Sequence, residues 1–250
     1  MADMTALYDR TVLRPDGTQE TAGRALLHEH RLSIIVNEHD LFSLTCTRDH
    51  LRELTAGRLL TAGIIQDLQE IELLELCREE RRARVFLRES VQWGPPAASE
   101  PTCCTDNHAL AARKDTPPLQ KLPAVHWEPA WIFALAEQFA QGTPIHRQTQ
   151  GTHSCHLARG GTLLFTCEDI GRHNAMDKAV GYALLHGIPR EECILFTSGR
   201  VPVDMVRKVI AAGIPVLASK SVPTAESVQL AKAYGLTLIC RAHPDQIEVY

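Results

Sequence analysis

The chain has 250 residues, of which 44% are hydrophobic, and a formal net charge of −4 at pH 7. These values fit one large globular domain or two small lobes, and they exclude a chain that is disordered throughout. Basic residues are scattered among acidic ones without a polybasic stripe, so we expect no nucleic-acid partner. We also expect a cytoplasmic protein with no membrane partner, because the sequence shows neither an apolar signal core nor the roughly 20 apolar residues that cross a bilayer.

Residues 1–91 predict a small, β-rich N-terminal lobe. Strands are predicted in four apolar runs, at residues 32–37, 41–47, 71–76 and 84–89. The first two runs flank the turn-like sequence EHD and predict a hairpin. Thr47 is expected to cap a helix in which leucines recur near helical spacing up to Gly63.

Residues 92–126 contain many prolines and no sustained periodicity, which is typical of a flexible loop or a connector between lobes. This segment carries the adjacent Cys103 and Cys104, whereas the other six cysteines lie singly, mostly in apolar runs that predict buried thiols. Adjacent cysteines can arise by chance, form a strained vicinal disulfide, or join a metal site with His108, His153, Cys155 and His156. Zinc spacing is absent, so we expect no metal. A thiolate on a flexible arm suits sulfur or acyl carriage.

Residues 127–250 alternate between helical and strand-like patterns. Helices are predicted at residues 129–141, 174–186, 202–212 and 224–234, and strands at residues 161–167, 193–197, 216–219 and 236–240. Such alternation indicates an α/β lobe in which helices cover both faces of a mixed or parallel sheet.

Polar residues follow three of these predicted strands at the point where each strand ends. In open α/β sheets, ligands bind beyond the carboxyl ends of the strands, where helix N-termini offer free backbone N–H groups. Ser198 and Gly199 would allow a close backbone approach, and the guanidinium of Arg200 suits a phosphate. Glu168 and Asp169 would orient the basic groups or bind a purine-like ring. The expected ligand-binding residues at the three junctions are Glu168, Asp169, Arg172, His173, Ser198, Gly199, Arg200 and Lys220.

Each junction taken alone has a simpler explanation. Arg172 could pair with a nearby aspartate, Ser198 could cap a helix, and Gly199 could only form a turn. Three junctions on the same sheet edge, each with an Arg or Lys, favour an anionic ligand.

Three sequence stretches resemble the formate dehydrogenase accessory sulfurtransferases, the FdhD family. They are LSIIVNEHD with HLRELTAGRLLTAGII, then EDIGRHNAMDKAVG, and finally TSGRVPVDMVRKVIAAGIPVLASKSVPTAESVQLAKAYGLTLI. The resemblance covers nearly the whole chain.

The resemblance implies a cytidine-deaminase-like α/β fold without the deaminase zinc, and a homodimer. It also implies that a cysteine desulfurase supplies persulfide sulfur, and that the protein passes it to the molybdenum cofactor, a bis(molybdopterin guanine dinucleotide), for formate dehydrogenase. GDP would mimic half of that ligand. Cys104 would carry the sulfur because it lies nearer a helix expected over residues 109–113, and Cys103 would resolve or protect the persulfide.

The sequence departs from the family pattern in two places. The family's Cys-Gly-x-Cys-Gly is reduced here to Cys103-Cys104, and its C-terminal Gly-Phe-x-Arg aligns with CRAHPDQ, where Arg241 and His243 are the expected cofactor contacts.

Two other functions remain open from the sequence. The protein could be a molybdopterin-cofactor chaperone with inert cysteines, or a nucleotide hydrolase with Glu168 or His173 as general base.

Overall fold

The structure is a computed structural model that describes residues 4–95 and 107–250. Cys103 and Cys104 lie outside the described residues. The strands of the described part are β1 (Thr5–Leu13), β2 (Gln19–Leu27), β3 (His30–Val36), β4 (His39–Cys46), β5 (Ile71–Leu76), β6 (Arg82–Leu87), β7 (Trp93–Gly94), β8 (His108–Ala109), β9 (Ala112–Arg113), β10 (His153–Arg159), β11 (Thr162–Asp169), β12 (Cys193–Thr197), β13 (Val216–Ser219), β14 (Thr237–His243) and β15 (Gln246–Val249). The α-helices are α1 (Leu51–Thr61), α2 (Pro129–Ala140), α3 (Pro144–Thr149), α4 (Arg172–Leu185), α5 (Val203–Ala211) and α6 (Ala225–Tyr234).

The N-terminal half forms a five-stranded sheet of order β5-β6-β3-β4-β8. The predicted hairpin is confirmed as β3 and β4, which a two-residue turn connects. Both turn residues, Asn37 and Glu38, have positive φ, as in the turns that match the twist of a hairpin. The predicted second strand pair is confirmed as β5 and β6.

The prediction that Thr47 caps α1 is wrong. The helix begins after His50, whose φ is 48°, and not at Thr47. Thr47 is engaged elsewhere, because its backbone N–H and its hydroxyl both donate to the Asp169 carboxylate at 3.1 Å.

The C-terminal half forms a six-stranded sheet of order β11-β10-β12-β13-β14-β15. Strands β12, β13 and β14 run parallel, and β10 is antiparallel to both β11 and β12. The carboxyl ends of β11, β12, β13 and β14 therefore lie at one edge, together with the first residue of β10. We call this the strand-end edge; the three predicted junctions do share it.

Helices cover both faces of this sheet, as predicted. Successive residues of β12 point to opposite faces. Phe196 packs in a cluster with Ile132 and is in ring contact with Phe139, both on α2. Leu195 belongs to the larger cluster, which includes residues of α1, α4 and α5 and extends into the N-terminal sheet. One apolar core thus spans the two halves of the chain.

Several elements have weak sequence signals. Strand β10 reads HSCHLAR and carries too many polar residues to look like a buried strand. The ribbon of β1 and β2 pairs with no other strand of the described residues. The helix expected over residues 109–113 is wrong, because this stretch contains β8, which pairs with β4, and β9, which pairs with β7. No helix in the described part of the chain is long and apolar enough to cross a membrane.

Helices α1 and α4 approach so closely that their backbones touch at two glycines. A Cβ atom on Gly57 would lie 1.8 Å from the Asp177 carbonyl oxygen, and one on Gly181 would lie 1.8 Å from that of Glu53. No side chain can be accommodated at either position without moving a helix.

Replacing Gly181 by Ala should therefore destabilise the protein by about 3 kcal/mol, the upper range for overpacking. Helix propensity alone predicts the opposite sign, a gain of about 1 kcal/mol. Urea denaturation followed by circular dichroism measures the difference. A variant that is more stable than the parent would contradict the close approach of the two helices.

Candidate functional site

A cavity of about 630 Å³ opens at the strand-end edge. Its walls come from α2, α3, β10 and the turns after β11, β12 and β13. The lining residues are Phe139, Ala140, Gly142, Thr143, His146, Gln150, Gly151, Thr152, His153, Ser154, His156, Ile170, Ser198, Lys220 and Ser221. Hydroxyl groups, three imidazoles and one ammonium group line this cavity, and none of the described lining residues carries a carboxylate.

Ser198 links the β12 turn to the start of β10. The Ser154 backbone N–H donates to Ser198 Oγ at 3.1 Å, and His153 Nδ1 lies 3.2 Å from the same oxygen. Burial lowers the pKa of His153, and the positive charge of Arg172 adds to the shift. The imidazole is thus neutral near pH 7 and can act as donor or acceptor toward a ligand.

His156 occupies the inner wall of the cavity beside α2. Its Nδ1 lies 2.8 Å from Thr166 Oγ1, and its ring meets the Phe139 ring edge to face at 4.6 Å. Among the described residues, Nε2 has no hydrogen-bond partner. Burial lowers the pKa of His156 to about 4, so this ring also stays neutral at physiological pH.

Gly199 brings the β12 turn against the first turn of α4. A Cβ atom at this position would lie 2.9 Å from both Cβ and Cδ of Arg172. The glycine therefore serves close packing on the Arg172 stem. The Gly199 carbonyl also accepts a hydrogen bond from Ser219 Oγ at 2.7 Å, which joins the β12 and β13 turns.

Glu168 lies beneath α3 and does not line the cavity. Its carboxylate accepts hydrogen bonds from the backbone N–H groups of Ile145 at 2.9 Å and His146 at 2.7 Å. It also accepts from the Thr143 and Thr152 hydroxyls at 2.6 and 2.9 Å. An anion at a helix N-terminus is stabilised by these donors, so Glu168 positions α3 and its cavity residue His146.

Asp169 is fully buried and joins the two halves of the chain. Its carboxylate lies 2.8 Å from Lys178 Nζ and accepts from Gly171 N and Asn174 Nδ2, both at 2.9 Å. Asp49 of the N-terminal half also pairs with Lys178. Burial alone would lower the pKa of Lys178, but Asp169 and Asp49 outweigh it and raise that pKa.

His173 is buried against α5. Its Nε2 lies 2.8 Å from Asp204 Oδ2, and the residue is only 2% exposed. Neither His173 nor Glu168 lines the cavity, so the geometry gives neither of them access, as a general base, to a ligand bound there.

The cationic residues expected at the edge differ in position. Lys220 is exposed and lines the cavity, whereas Arg200 is exposed and does not line it. Arg241, with a φ of 44°, pairs with Glu248 of β15 at 3.3 Å. His243 ends β14 opposite Gln246 in the sheet register.

The FdhD/NarQ family model matches residues 27–250. The chain belongs to the FdhD/NarQ family. It is 26% identical to the sulfur carrier protein FdhD of Listeria monocytogenes serotype 4b over 94% of this chain and 92% of that protein. It is 28% identical to the FdhD of Bacillus pumilus over 90% of this chain and 87% of that protein.

The fold of this FdhD/NarQ member also matches a crystal structure described as a formate dehydrogenase accessory protein from Desulfotalea psychrophila. The TM-score is 0.80 at 26% identity, over 99% of this chain and 97% of the other. The mixed α/β architecture is therefore shared.

The sequence of this FdhD/NarQ chain did not assign the cavity residues of α2, α3 and β10 to the ligand site, and it suggested His153 and His156 only as possible metal ligands. His146, His153 and Phe139 lie in segments that it assigned to a helix end or to no element. The three histidines within eleven residues were the available signal. Among the described residues, no cluster of His, Cys, Asp and Glu is suited to hold a metal ion.

Five of the cysteines expected to be buried are buried, and these are Cys46, Cys155, Cys167, Cys193 and Cys240. Burial raises the pKa of each of these thiols. Cys77 differs, because it is only partly buried in the turn between β5 and β6. Its slight burial would raise the pKa, but backbone N–H groups, first that of Arg82, lower it. Because Cys77 is partly accessible, it is replaced in the sulfur-loading experiment below.

The buried His156 predicts a specific acid sensitivity. Between its ordinary pKa of 6.5 and about 4, the unfolded chain binds a proton that the folded chain does not. The free energy of unfolding should fall as the pH falls through this window, by up to about 1.4 kcal/mol per pH unit. His156→Leu should lose stability less steeply in thermal melts between pH 7 and about 4.5. His126→Leu, whose side chain is 74% exposed, serves as the control. Equal slopes for the parent and His156→Leu would refute the assignment.

Proposed function

We propose that this protein is a sulfur carrier that accepts persulfide sulfur from a cysteine desulfurase and transfers it to the molybdenum cofactor required by formate dehydrogenase. The ligand would be a bis(molybdopterin guanine dinucleotide), bound at the strand-end edge. Membership of a family whose curated relatives are named sulfur carrier proteins supports the general activity. A homodimer, as the family resemblance implies, is part of the proposal.

The observation that carries the proposal is the convergence of His153, Ser198 and Lys220, from three different strand ends, on one cavity. Hydroxyl, imidazole and ammonium groups are the donors that a pyrophosphate needs. An anion would meet no carboxylate among the lining residues that the structure describes. The cavity volume lies within the ordinary range for small-molecule sites, about 300 to 1,000 Å³.

Each residue has a distinct part in this proposal. Lys220 supplies the positive charge at the cavity rim, and Ser198 offers a hydroxyl that the Ser154 backbone holds in place. Neutral His153 can donate or accept without adding a fixed charge. Gly199 and Arg172 keep the β12 turn against α4, so that Ser198 faces the cavity. Glu168 acts indirectly, through α3.

The sulfur transfer would proceed in two thiol exchanges. The Cys104 thiolate attacks the outer sulfur of the desulfurase persulfide; one S–S bond forms, one breaks, and the desulfurase cysteine leaves as a thiolate. The Cys103 thiolate then attacks Sγ of the Cys104 persulfide, a Cys103–Cys104 disulfide forms, and hydrosulfide leaves toward the cofactor. A dithiol reductant restores both thiols.

GDP, which stands for half of the cofactor, should bind the cavity. Lys220→Ala should weaken its binding about tenfold, or about 1.4 kcal/mol, because one charged contact to phosphate is lost. Arg200→Ala is the matched control, since Arg200 is also exposed but lies outside the cavity lining. Isothermal titration calorimetry measures both. Unchanged GDP affinity in Lys220→Ala would show that GDP does not bind in this cavity.

Sulfur loading is tested by mass spectrometry after incubation with a cysteine desulfurase and cysteine. In a Cys77→Ser background, the protein should gain the mass of one sulfur atom. Cys104→Ala should abolish this gain, and Cys103→Ala should load sulfur but release less hydrosulfide. If loading needs Cys103 and not Cys104, the two roles are reversed. If the parent gains no sulfur while GDP still binds, the protein is a cofactor chaperone with inert cysteines.

A further inference from the structure

A second large cavity lies at the opposite end of the C-terminal sheet. It is a groove of about 670 Å³, and it borders the turns that precede β12 and β13. We call it the amino-end groove. Its lining residues are Leu60, Thr61, Ala62, Gly63, Ile65, Gln66, Thr116, Pro117, Pro118, Leu119, Gln120, Lys121, Leu122, Pro123, Arg190, Arg207, Ile210, Ala211 and Gly213.

The lining of this groove has a strong charge bias. The described lining residues include Lys121, Arg190 and Arg207 and not one Asp or Glu. The whole chain carries a net charge of −4, so the groove is a local exception to the protein's overall charge. Lys121 and Arg207 are exposed, and neither forms an ion pair with another residue of the described ranges.

Arg190 is held rigidly between the two halves of the chain. Its Nε donates to the Ala212 carbonyl at 2.9 Å, and Nη2 donates to the Gln66 carbonyl at 3.1 Å. Both acceptors are backbone carbonyls and not carboxylates, so these contacts fix the guanidinium without neutralising its charge. A preorganised cation of this kind loses little conformational entropy on binding an anion.

The floor of the groove is apolar. Leu60, Ile65 and Ile210 are at most 3% exposed, and Leu119 and Leu122 pack against the same core from the proline-rich wall. The wall is pinned to α6 by the Leu122 N–H, which donates to the Tyr234 carbonyl at 2.8 Å. An apolar floor beneath separate cations suits a partner that presents apolar and acidic side chains together.

We propose that the amino-end groove is a docking site for an acidic, amphipathic segment of a protein partner. The three cations lie on separate elements, namely α5, the wall before α2 and the turn before β12, so they suit carboxylates spaced along a peptide. The groove is at the end of the sheet opposite the strand-end edge. A partner bound there would leave the cavity at the strand-end edge accessible.

The test uses a fluorescein-labelled amphipathic peptide of Glu, Leu and Ala, and a counterpart in which every Glu is Lys. Fluorescence anisotropy should detect binding of the acidic peptide only. Lys121→Glu combined with Arg207→Glu should weaken it about tenfold or more, and added salt should weaken it in the parent protein. Arg10→Glu combined with Arg52→Glu makes the same charge change at exposed residues outside the groove and should leave the affinity within about twofold.

Three results would overturn the proposal. They are no binding of the acidic peptide, equal binding of the two peptides, and equal affinities of the groove and control variants. If inorganic pyrophosphate displaces the peptide at matched ionic strength, the groove binds small anions and not an acidic peptide segment. GDP titration of the same variants separates this proposal from the proposed function. GDP affinity should stay unchanged in the groove variant and in the control variant. A failure of GDP to bind the parent protein would count only against the cavity at the strand-end edge.

Discussion

The buried contact between Lys178 and Asp169 is the interaction on which the rest of the structure depends. Both side chains are inaccessible to solvent, and Asp49 and Thr47 reach them from the other half of the chain. A buried charge is tolerated only when it is paired and hydrogen-bonded, and separating the halves would remove the Asp49 carboxylate and the Thr47 hydroxyl from Lys178. Because Asp169 also holds Gly171 and Asn174, the same contact fixes the start of α4.

Asn107 extends this network to the segment that follows the cysteine pair. Its side chain donates to Asn174 Oδ1 and accepts from the Thr45 N–H, both at 2.8 Å. Asn107 is the first described residue after the cysteine pair, and these two hydrogen bonds tie it to α4 and to β4.

Much of the C-terminal half could be predicted from the sequence, because apolar runs with helical or strand periodicity alternate cleanly there. The shared edge followed from the rule that the carboxyl ends of parallel strands lie together. That rule placed Ser198 and Lys220 at this edge, where both line the cavity. The motif around Glu168, Asp169, Arg172 and His173 was harder to interpret. Its ionisable groups are mostly buried and hold α3, α4 and the two halves in place, which only tertiary contacts could reveal.

Other features have a weak or misleading sequence signal. Strand β10 is buried in the middle of the sheet yet rich in polar residues, since His153 and Ser154 serve the cavity and His156 packs under Phe139. Arg200 has the residue type expected of a phosphate ligand, but the direction of a turn decides which cavity a side chain reaches. Thr47 has the residue type of a helix cap, but its backbone N–H and hydroxyl donate to the Asp169 carboxylate across the core.

The backbone contact between α1 and α4 has a consequence for motion. Helix α1 belongs to the N-terminal half and α4 to the C-terminal half, and at Gly57 and Gly181 the two main chains meet with no side chain between them. Sliding one helix along the other would drive a neighbouring Cβ into a carbonyl oxygen. Shear between the two halves is therefore blocked at this interface, and we expect its amides to exchange with solvent only through global unfolding.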